Sequence, residues 1–122
     1  MASKVLFDQN APLGLRRVLA THEVVASRDL GWERLTNGEL IRSAEAAGFA
    51  VLITCDRNIR YQLNLAGRSI ALIELSIGLW SIVQNHVDRI IAAIEAAEPG
   101  SYTIVTIPRP PLRRRLYPRL DC

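Results

Sequence analysis

Asp8 and Asp56 each stand where a short apolar run stops: Val5-Leu6-Phe7 leads into the first, and Val51-Leu52-Ile53 runs just ahead of the second. Carboxylates are hard oxygen donors, and one or two of them with retained waters suffice to hold Mg²⁺. An ion held this way activates water and offsets phosphate charge, so metal-assisted hydrolysis is the chemistry to look for. The structural alternative is strand-end capping of turn N–H groups, a common use of Asp. Convergence favours the functional reading. Wholly apolar runs suit parallel strands buried on both faces, and open α/β sheets bind ligands at the carboxyl ends of such strands.

Arg57 and Arg60 flank Asp56 and could grip phosphates with their forked donors. They could equally be solvated surface arginines. Asn10, Asn37 and Asn58 would line the same cleft as polar groups, although each also suits a turn or cap. Thr36-Asn37-Gly38-Glu39 fits a capping box, in which Glu39 reaches back to the N-cap N–H. Tyr61, Gln62 and Asn64 read either as contacts to a base or partner, or as the exposed face of a short helix. His22 and His86 have no catalytic neighbour in sequence. Trp32 and Trp80 read as core or interface anchors, and Cys55 as a small buried filler.

The elements that would position these groups alternate along the chain. A strand ends at Asp8, and Pro12 opens a helix running to about Leu19. Glu23–Ala26 reads as a second strand, and the stretch from Ser27 to Leu35 as a loop anchored by Trp32. A helix from Thr36 or Asn37 stops at Gly48. The strand Ala50–Ile53 then delivers Asp56. A short helix from about Ile59 to Ala66 ends at Gly67, and Ile70–Leu75 forms a fourth strand. One long helix, roughly Ser81 to Ala97, carries Val83, Val87, Ile90, Ile91 and Ile94 at helical spacing. Tyr102–Ile107 alternates as an edge strand would. This order predicts an α/β three-layer sandwich, a mainly parallel twisted sheet of about five strands with helices on both faces.

The 122 residues suit one domain, and with 49% hydrophobic and 22% charged residues the chain is globular rather than disordered. Glu74 interrupts the greasiest segment, so a membrane span is not expected; without a signal-peptide pattern, the cytoplasm is the expected location. Two cysteines, Cys55 and Cys122, give neither a disulfide framework nor a zinc spacing. The net charge of +3 is uneven. Residues 108–122 hold five arginines against Asp121, a balance of +4, which leaves −1 for residues 1–107. The chain therefore divides into a near-neutral domain, 1–107, and a Pro/Arg-rich tail, 108–122, expected to be extended or disordered. That tail suits phosphate contacts, an acidic patch on a partner, or no role at all.

Three segments in order, KVLFDQN, LTNGEL and LITCDRNIRYQLNLAGR, resemble the small PIN-like proteins, relatives of the PIN-domain ribonuclease toxins. The likeness spans about residues 4 to 107. It implies an α/β sandwich whose clustered acids bind Mg²⁺ or Mn²⁺ and cleave RNA, often as a toxin held by an antitoxin. It also implies that Asp8 and Asp56 are catalytic metal ligands and that Glu39 is a third carboxylate. Asn10, Asn37 and Asn58 would complete the polar shell, with Arg57 or Arg60 near the phosphate. Homodimers are common in such folds. Related sequences often read Asp-Glu-Asn at Asp8-Gln9-Asn10, and Asp at Asn37 and Asn58. Three carboxylates are thus amides here, which offer oxygen but no charge. The alternative implied is a catalytically weak or inactive module that binds RNA or a partner protein.

Overall fold

A computed structural model of the protein describes residues 3–57, 59 and 64–109. In chain order the elements are β1 (Lys4–Phe7), α1 (Leu15–Val18), β2 (Glu23–Ala26), a 3₁₀ turn (Ser27–Leu30), α2 (Asn37–Ala46), β3 (Val51–Thr54), β4 (Ala71–Leu75), α3 (Trp80–Val83), α4 (Val87–Ala96) and β5 (Tyr102–Val105). The five strands form one all-parallel sheet in the order β2-β1-β3-β4-β5. Every residue of β3 and β4 is buried, as expected of apolar strands covered on both faces.

Strand alternation divides the interior in two. Val5, Phe7, Ile53 and Ile73 join a cluster with Leu15 of α1, Val83 of α3, and Ile90 and Ile94 of α4. Leu6, Leu52 and Leu72 point the opposite way and pack with Leu40, Ile41 and Ala44 of α2. The α/β sandwich expected from the sequence is consistent with this arrangement. Each strand therefore presents one side chain to α2 and the next to the other helices.

The best-defined helix is α2. Thr36 Oγ1 accepts from Glu39 N at 3.2 Å while Glu39 Oε1 accepts from Thr36 N at 2.9 Å, completing the capping box. At the other end Gly48 adopts φ +86. Its N–H bonds to Glu45 O, and Phe49 N–H bonds to Ala44 O, which is a Schellman closure. Phe49 is thereby turned into the core, where Trp32 meets it edge-on at 6.3 Å. This is the anchoring expected of Trp32.

Three expectations need correction. The helix expected from Pro12 is confined to Leu15–Val18, because Leu15 and Arg16 N–H bond to carbonyls three residues back, at Pro12 and Leu13. The loop from Ser27 contains a 3₁₀ turn closed by Gly31 at φ +73, too short to leave a periodic signature. The single helix expected over 81–97 is two helices. Asn85 and His86 N–H bond to Ile82 and Val83, and His86 sits at φ −132, outside the helical region. Val83, Ile90 and Ile94 still face one cluster, so their spacing hides the break. Residues 60–63 of the helix expected over 59–66 fall outside the described residues, as does the tail beyond Arg109. No helix among the described residues is long and apolar enough to cross a membrane.

Candidate active site at the carboxyl edge of the sheet

The strand order places the two aspartates. From β1 the chain passes outward to β2, then returns across the sheet to β3, so β1 and β3 flank the point where the winding reverses. Ligands of doubly wound sheets bind in the crevice at the carboxyl ends of the strands flanking such a switch point. Asp8 directly follows β1, and Asp56 lies two residues beyond β3. Both are half-buried.

A threonine joins them. Thr54, the last residue of β3 and fully buried, donates its hydroxyl to Asp8 Oδ2 at 2.9 Å. The Thr54 Oγ1 oxygen in turn accepts from Asp56 N–H at 3.0 Å. Asp8 Oδ1 accepts from Gln9 N–H at 2.8 Å, and Asp8 N–H itself bonds to Ile53 O. The Asp8 carboxylate is thus fixed by two donors, yet an ionised carboxylate has about four acceptor positions, so each oxygen keeps one. Hard oxygen positions of this kind are what hydrated Mg²⁺ or Mn²⁺ takes as ligands.

Glu74 is the acidic residue whose placement the sequence reading missed. Thr54 and Glu74 are register partners across β3 and β4 and lie on the α2 side of the sheet. Glu74 is only 4% exposed, and Tyr102 of β5 donates its phenol to Glu74 Oε1 at 2.6 Å. A lone Glu inside a strand of otherwise apolar residues was the available signal: burying a charged group without a partner is costly. Cys55, between Thr54 and Asp56 in sequence, packs against the opposite cluster. Burial, and then the negative charges of Asp8 and Glu74, push its thiol up to about 11. A Cβ at Gly78 would lie 3.0 Å from Cys55 Sγ and 3.3 Å from Asn10 O, a tight fit.

The remaining predicted groups are placed as follows. Glu39 is occupied by the capping box, and the Thr36 backbone and hydroxyl lower its pKa. Among the described residues no three His, Cys, Asp or Glu side chains converge as a metal cluster. Asn10 and Arg57 are exposed beside the two aspartates, and Asn37 is half-buried at the start of α2. Asn58, Arg60, Tyr61 and Gln62 lie outside the described residues. His22 Nδ1 accepts from Ser3 N–H, the structural role expected of it. Trp80 packs against the α1-side core and lies so close to Gly14 that no Cβ would fit there.

Two surface clefts lie elsewhere. One of about 390 Å³ is lined by Leu13, Gly14, Arg17, Val18 and Trp80. The other, about 230 Å³, includes His86, Pro108 and Arg109. Asp8 and Asp56 line neither of these two clefts. Compared with known proteins, the chain matches no family model, no curated protein and no solved structure.

Proposed function

We infer that this protein is a divalent-metal-dependent endoribonuclease of PIN type, acting in the cytoplasm as the toxin of a toxin–antitoxin pair. The observation that carries the reading is the Asp8–Thr54–Asp56 chain of hydrogen bonds at the switch point of an all-parallel sheet. Asp8 and Asp56 would hold Mg²⁺ or Mn²⁺, which supplies an activated water and charge neutralisation at an RNA phosphodiester. Thr54 ties the Asp8 carboxylate to the backbone of Asp56, and Arg57 would offer a donor fork toward the phosphate. Glu39 contributes as a helix cap under this reading. RNA, an antitoxin protein and a second copy of the chain are the proposed partners.

The test is cleavage of RNA by the purified chain with Mn²⁺ or Mg²⁺, beside Asp8→Asn and Asp56→Asn. A second reading, a weak or inactive module that binds RNA or a protein, is favoured by one observation. Glu39 is committed to α2, and no third acid joins the aspartates as a metal cluster among the described residues. Binding of RNA without cleavage would select it.

A further inference from the structure

Between the carboxyl end of β4 and the amino end of β5 the chain must travel back along the sheet, and α4 makes that return. Its first residues therefore stand at the same edge as Asp8 and Asp56, as does the chain leaving β5. The two are tied together there. Arg89 of α4 donates from its guanidinium to Thr106 O at 3.2 Å, and Ile107 N–H donates to Ser76 Oγ at 2.8 Å. Ile107 is buried. Pro108 and Arg109 are thereby set beside α3 and the start of α4, where they complete the cleft of about 230 Å³.

The chemistry of this cleft is that of an anion site. Ser81, Asn85, His86 and Arg109 line it, and among the described residues no carboxylate does. Neither the Arg109 guanidinium nor the His86 imidazole has a hydrogen-bond or ion-pair partner among the described residues. Asn85 Nδ2 donates to Ser81 O at 3.4 Å, which leaves its second N–H. A guanidinium fork surrounded by further N–H and O–H donors is the set from which phosphate oxygens accept. The position matters as much as the donors. Gly78, in the turn between β4 and α3, lies against Asn10 O and Cys55 Sγ, beside both aspartate loops. Ser81 is three residues further on, so its backbone is no more than about 11 Å from that contact. RNA that crosses Asp8 and Asp56 and continues past Gly78 brings a second phosphate to the cleft.

We propose that this cleft is a phosphate subsite of the aspartate edge, in which Arg109 and His86, with Asn85 and Ser81, hold the RNA backbone beyond the bond cleaved at Asp8 and Asp56. RNA as the ligand rests on the nuclease reading, whereas the anion chemistry rests on the cleft alone. Contacts of this kind position a strand without reading its sequence. The subsite lies on the β4–β5 side of the aspartates, so it fixes the side toward which the bound strand continues.

The experiment has two arms, both on the full-length protein. In the first, inorganic phosphate is titrated into metal-free protein while the His86 imidazole resonances are followed by NMR. They should move to saturation, and Arg109→Gln should abolish the movement. In the second, binding of a labelled oligouridylate is measured across a salt series with Ca²⁺ in place of Mn²⁺, and cleavage is measured separately with Mn²⁺. His86→Gln/Arg109→Gln should weaken binding about tenfold and make the slope of log affinity against log salt shallower by about 0.7. Arg42→Gln, which removes an exposed cation from α2, should change neither. His86 resonances that stay fixed at every phosphate concentration overturn the anion site, and RNA cleavage in the same protein leaves the nuclease reading standing. Resonances that move, with RNA affinity unaltered in the double variant, overturn RNA as the ligand and leave a free phosphate ester. Moving resonances and weakened RNA binding in a protein that never cuts RNA support the subsite and overturn the nuclease reading alone.

Discussion

The Thr54 hydroxyl donates to Asp8 Oδ2 at 2.9 Å, across 46 residues of sequence, while accepting from Asp56 N–H. Thr54→Val keeps the shape and removes both bonds, leaving Asp8 Oδ2 without its donor. A lost buried hydrogen bond of this kind costs about 1–2 kcal/mol. The predicted outcome is a lower melting temperature together with a smaller rise on adding Mn²⁺. Thr54→Ser should restore the Mn²⁺-dependent rise, which separates positioning of the Asp8 carboxylate from simple loss of packing.

Glu45 ties α2 to the segment entering β4. It pairs with Arg68 at 2.8 Å and accepts from Ser69 N–H and Ile70 N–H. Burial works to raise its pKa, but Arg68 and these backbone donors together outweigh burial and hold it below 4.5. A lowered folded-state pKa gives stability that is present above the unfolded value and lost as pH falls through the folded one. Glu45→Gln should therefore destabilise the protein by about 1–2 kcal/mol at neutral pH. Urea titrations at descending pH should show the difference from wild type closing in acid. A constant gap would contradict the assignment.

Glu39 and Thr36 form a cap, so their loss should affect folding rather than chemistry. Thr36→Ala is expected to cost about 1 kcal/mol. Glu39→Gln, which retains an acceptor for the Thr36 N–H, should retain RNA cleavage if the two aspartates carry the metal. Abolition of cleavage with unchanged melting would return Glu39 to the metal site.

Cys55 should be a poor nucleophile. Its thiol is pushed up to about 11 from 9.0, so the thiolate at neutral pH is scarcer by about 100-fold. In a Cys122→Ser background, reaction with a disulfide reagent should be slower by at least that factor than for an exposed thiol. The shift has a stability counterpart. A folded-state pKa above the unfolded one favours folding fully below about 9, and that contribution is lost as pH rises through about 11.

Much of this architecture is legible in the residues because the strands are short, apolar and separated by strong stop signals. Val51–Ile53 and Ala71–Leu75 could only be buried strands, and Gly48 and the Thr36–Glu39 box mark both ends of α2. The split at Gln84–His86 was hidden because both helices face one cluster and keep a shared apolar period. Asp8 and Asp56 were visible as strand-end acids, but their link through Thr54 depends on register, which one sequence does not display. Glu74 was passed over as an interruption in a greasy run. Its neighbours Thr54 and Tyr102 come from other strands, so the buried network exists only once the sheet is assembled.

The central claim is that Asp8 and Asp56 form one metal-dependent catalytic site, and cleavage of single-stranded RNA with Mn²⁺ by wild type, Asp8→Asn and Asp56→Asn tests it most directly. The account predicts cleavage by wild type, none on chelation, and a loss of at least about 100-fold in each variant. Cleavage that survives both substitutions, or a wild-type protein that leaves RNA intact at every Mn²⁺ concentration, would contradict it.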